Sequence, residues 1–145
     1  MHIAENKSLA VQKKLLTNDD VYTIIAADTI VVLENKIIGK PADREDAIKI
    51  LSALSGKTHE VITGVCLLSS SNENVFTEKT KVIFNELTLD QIEYYVDKYK
   101  PYDKAGGYAI QEWIGIVGVK SIEGDFYNVM GLPVSRVVKE LKIMN

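Results

Sequence analysis

Apolar and polar residues change period several times along this 145-residue chain, and each change marks an element. From Ile3 to Leu16 the apolar positions (Ile3, Ala10, Val11, Leu15) recur with weak helical spacing, predicting a helix before the polar break Asn18-Asp19-Asp20. Val21 to Ala27 is β-branched and largely apolar, the pattern of a central strand covered on both faces. Ile30–Leu33 and Lys36–Ile38 flank Glu34-Asn35 and predict a short hairpin. Asp43 to Ser55 is the clearest helix. Asp43 can cap it, Asp46 holds the reciprocal capping position, and Ala47, Ile50, Leu51 and Leu54 share one face. Gly56 then offers the left-handed residue that ends it.

Thr58–Leu68 and Val75–Leu87 predict two long strands joined by the polar turn Ser69-Ser70-Ser71-Asn72. Thr88 and Gln91 form a second capping box, opening a helix whose inward face is Ile92, Tyr95, Val96 and Tyr99. Ile114–Ile122 reads as a strand. Pro133 suits the first turn of a last helix, with Val134, Val137, Val138 and Leu141 spaced to face inward. Strands and helices interleave around a central pair of hairpin strands. The predicted fold is an α/β domain with a mixed sheet, and neither a repeat nor a linker divides it.

Composition narrows the class. Hydrophobic residues at 46% and charged residues at 26% are ordinary globular proportions, and one domain of this length can bury a real core. The net charge of −3 gives no overall attraction to nucleic acid or an anionic membrane, though a locally basic cleft can still hold a small anion. Cys66 stands alone in an apolar run, so no disulfide framework or cysteine-rich metal site can form within one chain. His2 and His59 lack the spacing of a histidine metal site. No apolar stretch approaches the roughly 20 residues needed to span a bilayer, and the first residues contain no signal-peptide core. A cytoplasmic location is expected.

Four segments could carry chemistry. Asp28 follows the apolar strand, where a carboxylate could bind a cation or accept a proton, or could equally cap a turn. Gly39-Lys40-Pro41 holds a lysine on a stiff turn before a helix, suited to a phosphate or simply to solvent. Tyr102 to Gln111 carries paired glycines and a side chain, Gln111, with both donor and acceptor, the equipment for reading a base edge. The plainer reading of that segment is a tight turn. Glu123 to Pro133 adds two acids and two aromatics that could line a pocket or pack before the last helix. No P-loop is present, nor any serine or cysteine nucleophile with its base.

The order of these motifs carries a resemblance. Ala27-Asp28-Thr29, then Gly39-Lys40-Pro41, then Leu54-Ser55-Gly56-Lys57-Thr58-His59-Glu60-Val61 with Thr63-Gly64-Val65, resembles the Maf (septum-formation inhibitor) family. Tyr102-Asp103-Lys104-Ala105-Gly106-Gly107-Tyr108-Ala109-Ile110-Gln111 and Ile122-Glu123-Gly124-Asp125-Phe126-Tyr127-Asn128-Val129, with Gly131-Leu132-Pro133, extend it over essentially the whole chain.

The resemblance implies an inosine-triphosphatase-like fold, an elongated mixed twisted sheet with helices around a nucleotide cleft. Residues 1–145 would be a single Maf-like domain that does not include the family's first strand and S-x-S-P-R-R phosphate loop. On that reading Met1 is an internal start of a longer gene, or the chain is a remnant. The implied reaction hydrolyses a nucleoside triphosphate between its α and β phosphates, with Mg²⁺ or Mn²⁺. Asp28 matches the family's catalytic acid and would also hold the metal. Lys40 and Lys7 match phosphate-cleft lysines, and Thr29 and Gln111 match positions tied to substrate preference. The Asp-Lys-Ala-Gly-Gly-Tyr form resembles the dTTP/UTP branch, not the branch acting on 7-methyl-GTP. A homodimer is expected. The alternative is a non-catalytic nucleotide-binding or dimeric interaction module on the same scaffold.

Overall fold

A computed structural model describes residues 2–15 and 22–144, so the predicted break at Asn18–Asp20 lies outside the described residues. The elements run α1 (His2–Leu15), β1 (Thr23–Leu33), β2 (Lys36–Ile38), α2 (Arg44–Leu54), β3 (Thr58–Ser69), β4 (Glu73–Phe84) and α3 (Leu89–Tyr99). A 3-10 turn at Ala105–Gly107 follows, then α4 (Trp113–Gly118), β5 (Val119–Glu123), α5 (Phe126–Val129) and α6 (Val134–Met144). The fold is α/β, with five strands in the order β2-β1-β3-β4-β5 and helices packed around them.

All four pairings are antiparallel. For two of them the reason is local: β1 to β2 and β3 to β4 are joined by turns too short for a parallel crossover. Glu34 and Asn35 turn the first hairpin with φ of 51° and 64°, the left-handed pair that matches strand twist.

The alternation of side chains divides the sheet into two faces with different covers. On one face Val31, Leu33, Val61, Val82 and Phe84 meet Ala47, Leu51 and Leu54 of α2 and Ile92, Tyr95 and Val96 of α3. Further along that face α6 adds Val137 to Val65, Leu67 and Phe76. On the opposite face Ile24, Cys66 and Leu68 meet Ala4 of α1. The α1 contact uses Ala4 and Ser8, both fully buried, while Ile3 and Val11 of the expected apolar stripe stay exposed.

Of the two expected capping boxes, one forms in full and the other only in half. Thr88 and Gln91 bond reciprocally. Asp43 accepts from the Asp46 backbone, but the Asp46 carboxylate reaches back one residue further, to the Ala42 N–H at 2.8 Å.

Three expectations are corrected. β1 does not stop at Ala27: it runs unbroken to Leu33, because Asp28 pairs with Gly64 and Thr29 with Thr63 inside the β3 ladder. The predicted strand Ile114–Ile122 begins as a helical turn, α4, and only Val119–Glu123 pairs with β4. Gly115 lets this turn pack closely on Ile110, since a Cβ there would lie 1.7 Å from the Ile110 carbonyl oxygen. In α6, Val137 is buried whereas Val134 and Val138 remain exposed.

Candidate active site

Asp28 sits in the middle of β1, not at a strand end. Successive side chains leave a strand on opposite faces, so Asp28 and Thr29 serve different surroundings. Asp28 lies on the α1 face, where Lys7 bonds its Oδ1 at 3.1 Å and approaches the Ala27 carbonyl at 3.4 Å. Lys7 is half exposed, so this ion pair contributes at most about 1 kcal/mol. Its main effect is positional: α1, docked through Ala4 and Ser8, places one cation on the carboxylate. Ser8 Oγ donates to the Glu5 carbonyl and makes a 2.8 Å contact to Cys66 Sγ, and burial pushes that thiol's pKa up.

Thr29 faces the other way, into a buried polar network. Its hydroxyl bonds Thr63 Oγ1 at 2.9 Å. Asn128, fully buried on α5, donates to the carbonyls of Val61 and Glu78 and to Thr80 Oγ1. The Asp125 carboxylate caps α5 by accepting from the N–H groups of Tyr127 and Asn128. This network pins the Val129–Gly131 segment against the middle of the sheet.

β2 pairs with β1 only at Val31–Leu33. Beside Asp28 and Thr29, no strand lies on that side among the described residues. A cavity of about 300 Å³ lies here, lined by Asp28, Thr29, Lys40, Lys104, Gln111 and Met130 among others. The walls are tied to one another. The Gly106 N–H donates to the Gly39 carbonyl at 3.2 Å, joining the Lys40 turn to the Lys104 loop. Gly106 needs its positive φ of 76° and its missing Cβ, which would meet Val31 Cγ2 at 2.8 Å. Tyr108 is anchored from behind, its hydroxyl bonded to His59 Nε2 in the core. Burial lowers the His59 pKa to about 4, so the imidazole is neutral. The same burial pushes the Tyr108 phenol up, so the bond joins a neutral hydroxyl and a neutral imidazole. The Tyr95 hydroxyl accepts from the Ala109 N–H and donates to the Glu112 carboxylate, fixing the next residue of the wall.

Four of the five residues singled out in the sequence (Asp28, Thr29, Lys40 and Gln111) therefore line one cavity. The fifth, Lys7, reaches it through Asp28. Lys104, Asp103, Met130 and Tyr108 are also on the wall. They belonged to motifs already noted, but only the folded loop shows that they face the cavity.

An antiparallel sheet with helices on both faces and a cavity at its edge lined by lysines and aspartates defines an α/β domain with a charged cleft. The chain matches the family model described as Maf-like protein over residues 1–144. It belongs to that family. It is 56% identical over 121 residues to the dTTP/UTP pyrophosphatase of Christiangramia forsetii, covering 83% of this chain and 62% of that protein. The dTTP/UTP pyrophosphatase of Bacteroides thetaiotaomicron is 55% identical over 119 residues, 82% of this chain and 62% of the relative. That of Parabacteroides distasonis is 50% identical over 142 residues, 98% of this chain and 72% of the relative. The matched region thus spans less than two thirds of the first two relatives' lengths and 72% of the third's.

Proposed function

We propose that the cavity is the site of a nucleoside triphosphate pyrophosphatase that hydrolyses dTTP or UTP to the monophosphate and pyrophosphate. The observation that supports this best is convergence: Asp28-Thr29, Lys40 and Gln111 come from three separated motifs and line one cavity. The relatives' activity, carried to this chain, supplies the reaction class.

In this reading Lys40 neutralises phosphate charge so that a nucleophile can approach. Asp28 accepts a proton from the attacking water. A water oxygen–phosphorus bond forms at the α phosphate, the bridge to the β phosphate breaks, and pyrophosphate leaves with the electron pair. Lys7 holds one Asp28 oxygen in the structure. Its transfer to a phosphate oxygen would free the carboxylate for this work. Gln111 and Thr29 set the nucleotide preference.

Asp28 is the carboxylate of this cavity that would hold Mg²⁺ or Mn²⁺ in this reading. Among the described residues no three His, Cys, Asp or Glu side chains converge. Asp28 would therefore share the ion with substrate phosphates, the usual manner of Mg²⁺ at such sites. When bound, the ion supplies charge neutralisation and a more acidic water. Homodimeric assembly and a cytoplasmic location accompany this proposal. No helix among the described residues is long and apolar enough to cross a membrane.

The test is pyrophosphate release from a triphosphate panel with Mg²⁺ or Mn²⁺, comparing this chain with Asp28→Asn. Release from dTTP and UTP, cut by roughly 100-fold or more in Asp28→Asn, is the expected result. Turnover indifferent to Asp28→Asn overturns the catalytic assignment. Preference for 7-methyl-GTP overturns the substrate. The Lys7–Asp28 ion pair favours a second reading, a nucleotide-binding module without turnover, which binding without pyrophosphate release would support.

A further inference from the structure

Two lysines and two aspartates line the cavity: Lys40 and Lys104, Asp28 and Asp103. Lys104 takes no part in the reaction proposed above. Its backbone is fixed from both sides, since its N–H donates to the Pro101 carbonyl at 3.4 Å and its carbonyl accepts from Gly107 at 3.0 Å. The next residues are locked by the Gly106–Gly39 bond and by the close approach of Gly106 to Val31. The side chain is half-buried, and its partner is the carboxylate of its own neighbour, Asp103, at 3.3 Å. That carboxylate is 78% exposed. A pair between adjacent residues with one member in water is weak and readily exchanged.

We propose that Lys104 is a second phosphate-binding cation of the proposed nucleotide site, held in reserve by Asp103 and released to the triphosphate when it binds. The inference rests on the nucleotide reading of the cavity and deepens it. Donor chemistry assigns Lys104 to the phosphates and not to the base. Lysine offers three donors, a full charge and no acceptor. The edge of thymine or uracil alternates acceptor, donor, acceptor, which Gln111 can match and a lysine cannot. Charge points the same way. With Lys7 on Asp28 and Lys104 on Asp103, each aspartate lining the cavity already has a lysine partner. A triphosphate outcompetes the single exposed Asp103 carboxylate, because it presents several charges and more acceptor oxygens. Asp103 is then a tuning residue, setting how much of the Lys104 charge is offset before ligand arrives.

The experiment is calorimetric titration of the full chain with α,β-methylene-dTTP, which cannot be cleaved at the relevant bond, and with dTMP, both with Mg²⁺. Lys104→Gln should weaken the triphosphate analogue at least about tenfold while changing dTMP less than about twofold. Lys104→Arg should restore most of the loss, and Asp103→Asn should tighten the analogue by about two- to fivefold. Equal weakening of both ligands by Lys104→Gln, or of neither, overturns the assignment. If Lys40→Gln weakens the analogue while Lys104→Gln is silent, this proposal fails and the nucleotide site stands. Failure of the unchanged chain to bind either ligand overturns the nucleotide reading and this inference with it.

Discussion

Helices α1 and α3 cover opposite faces of the same sheet by opposite means. α3 is complete in itself: it has a full capping box, a left-handed C-cap at Lys100 and three buried anchors in Ile92, Tyr95 and Val96. α1 docks with Ala4 and Ser8, leaves Ile3, Leu9 and Val11 exposed, and presents Lys7 to the candidate catalytic carboxylate. The α3 side builds the scaffold and the wall behind Tyr108. The α1 side delivers charge. Stability and proposed chemistry are thus separated across one layer of backbone, and substitutions can test that separation.

The largest effect is expected on the scaffold side. Leu51→Ala, at a fully buried position between α2 and the sheet, should cost about 2–5 kcal/mol in urea unfolding. A loss under about 1 kcal/mol would show that this face is loosely packed. The next effect is a pH dependence. His59 has its pKa lowered from 6.5 to about 4 by burial. As pH falls, the unfolded chain takes up this proton first. Stability is therefore full above about pH 6.5 and lost as pH falls toward about 4. Up to about 3 kcal/mol is at stake over that window. His59→Phe should flatten the acid limb of a plot of stability against pH, whatever it does to stability at neutral pH. An unchanged slope would mean that His59 is hydrated when folded. Thr88→Ala removes the α3 cap and should cost about 1 kcal/mol by the same unfolding assay. The smallest change in stability is expected from Lys7→Gln, under about 1 kcal/mol, because its ion pair is half exposed. A larger cost would make α1 a structural element and blur the contrast.

The α3 side was also the more legible in sequence. Its caps are local signals, and its apolar spacing is strong enough to mark Ile92, Tyr95 and Val96. The turn at Glu34-Asn35 was readable for the same reason, because the chemistry acts within a few residues. β1 was misjudged where a tertiary partner decides. Aspartate is disfavoured in strands, yet Asp28 continues the ladder opposite Gly64 with Lys7 beside it. The run from Ile114 alternates like a strand, yet it opens with a helical turn whose Gly115 packs against Ile110, a contact no local pattern signals. The site followed the same division. Motif order singled out Asp28, Thr29, Lys40 and Gln111, whereas Lys104 and Met130 became visible only when their loops were placed around the cavity.

The single bond from the Gly106 N–H to the Gly39 carbonyl couples two loops more than sixty residues apart in the chain. It makes their lengths interdependent. An insertion between Ile38 and Pro41 would displace Lys40 and drag the Lys104 loop with it, while one at the exposed Ser70–Asn72 tip would disturb neither. Descendants of this chain can therefore drift freely in the length of that distal hairpin. The two lysine loops can change length only in concert.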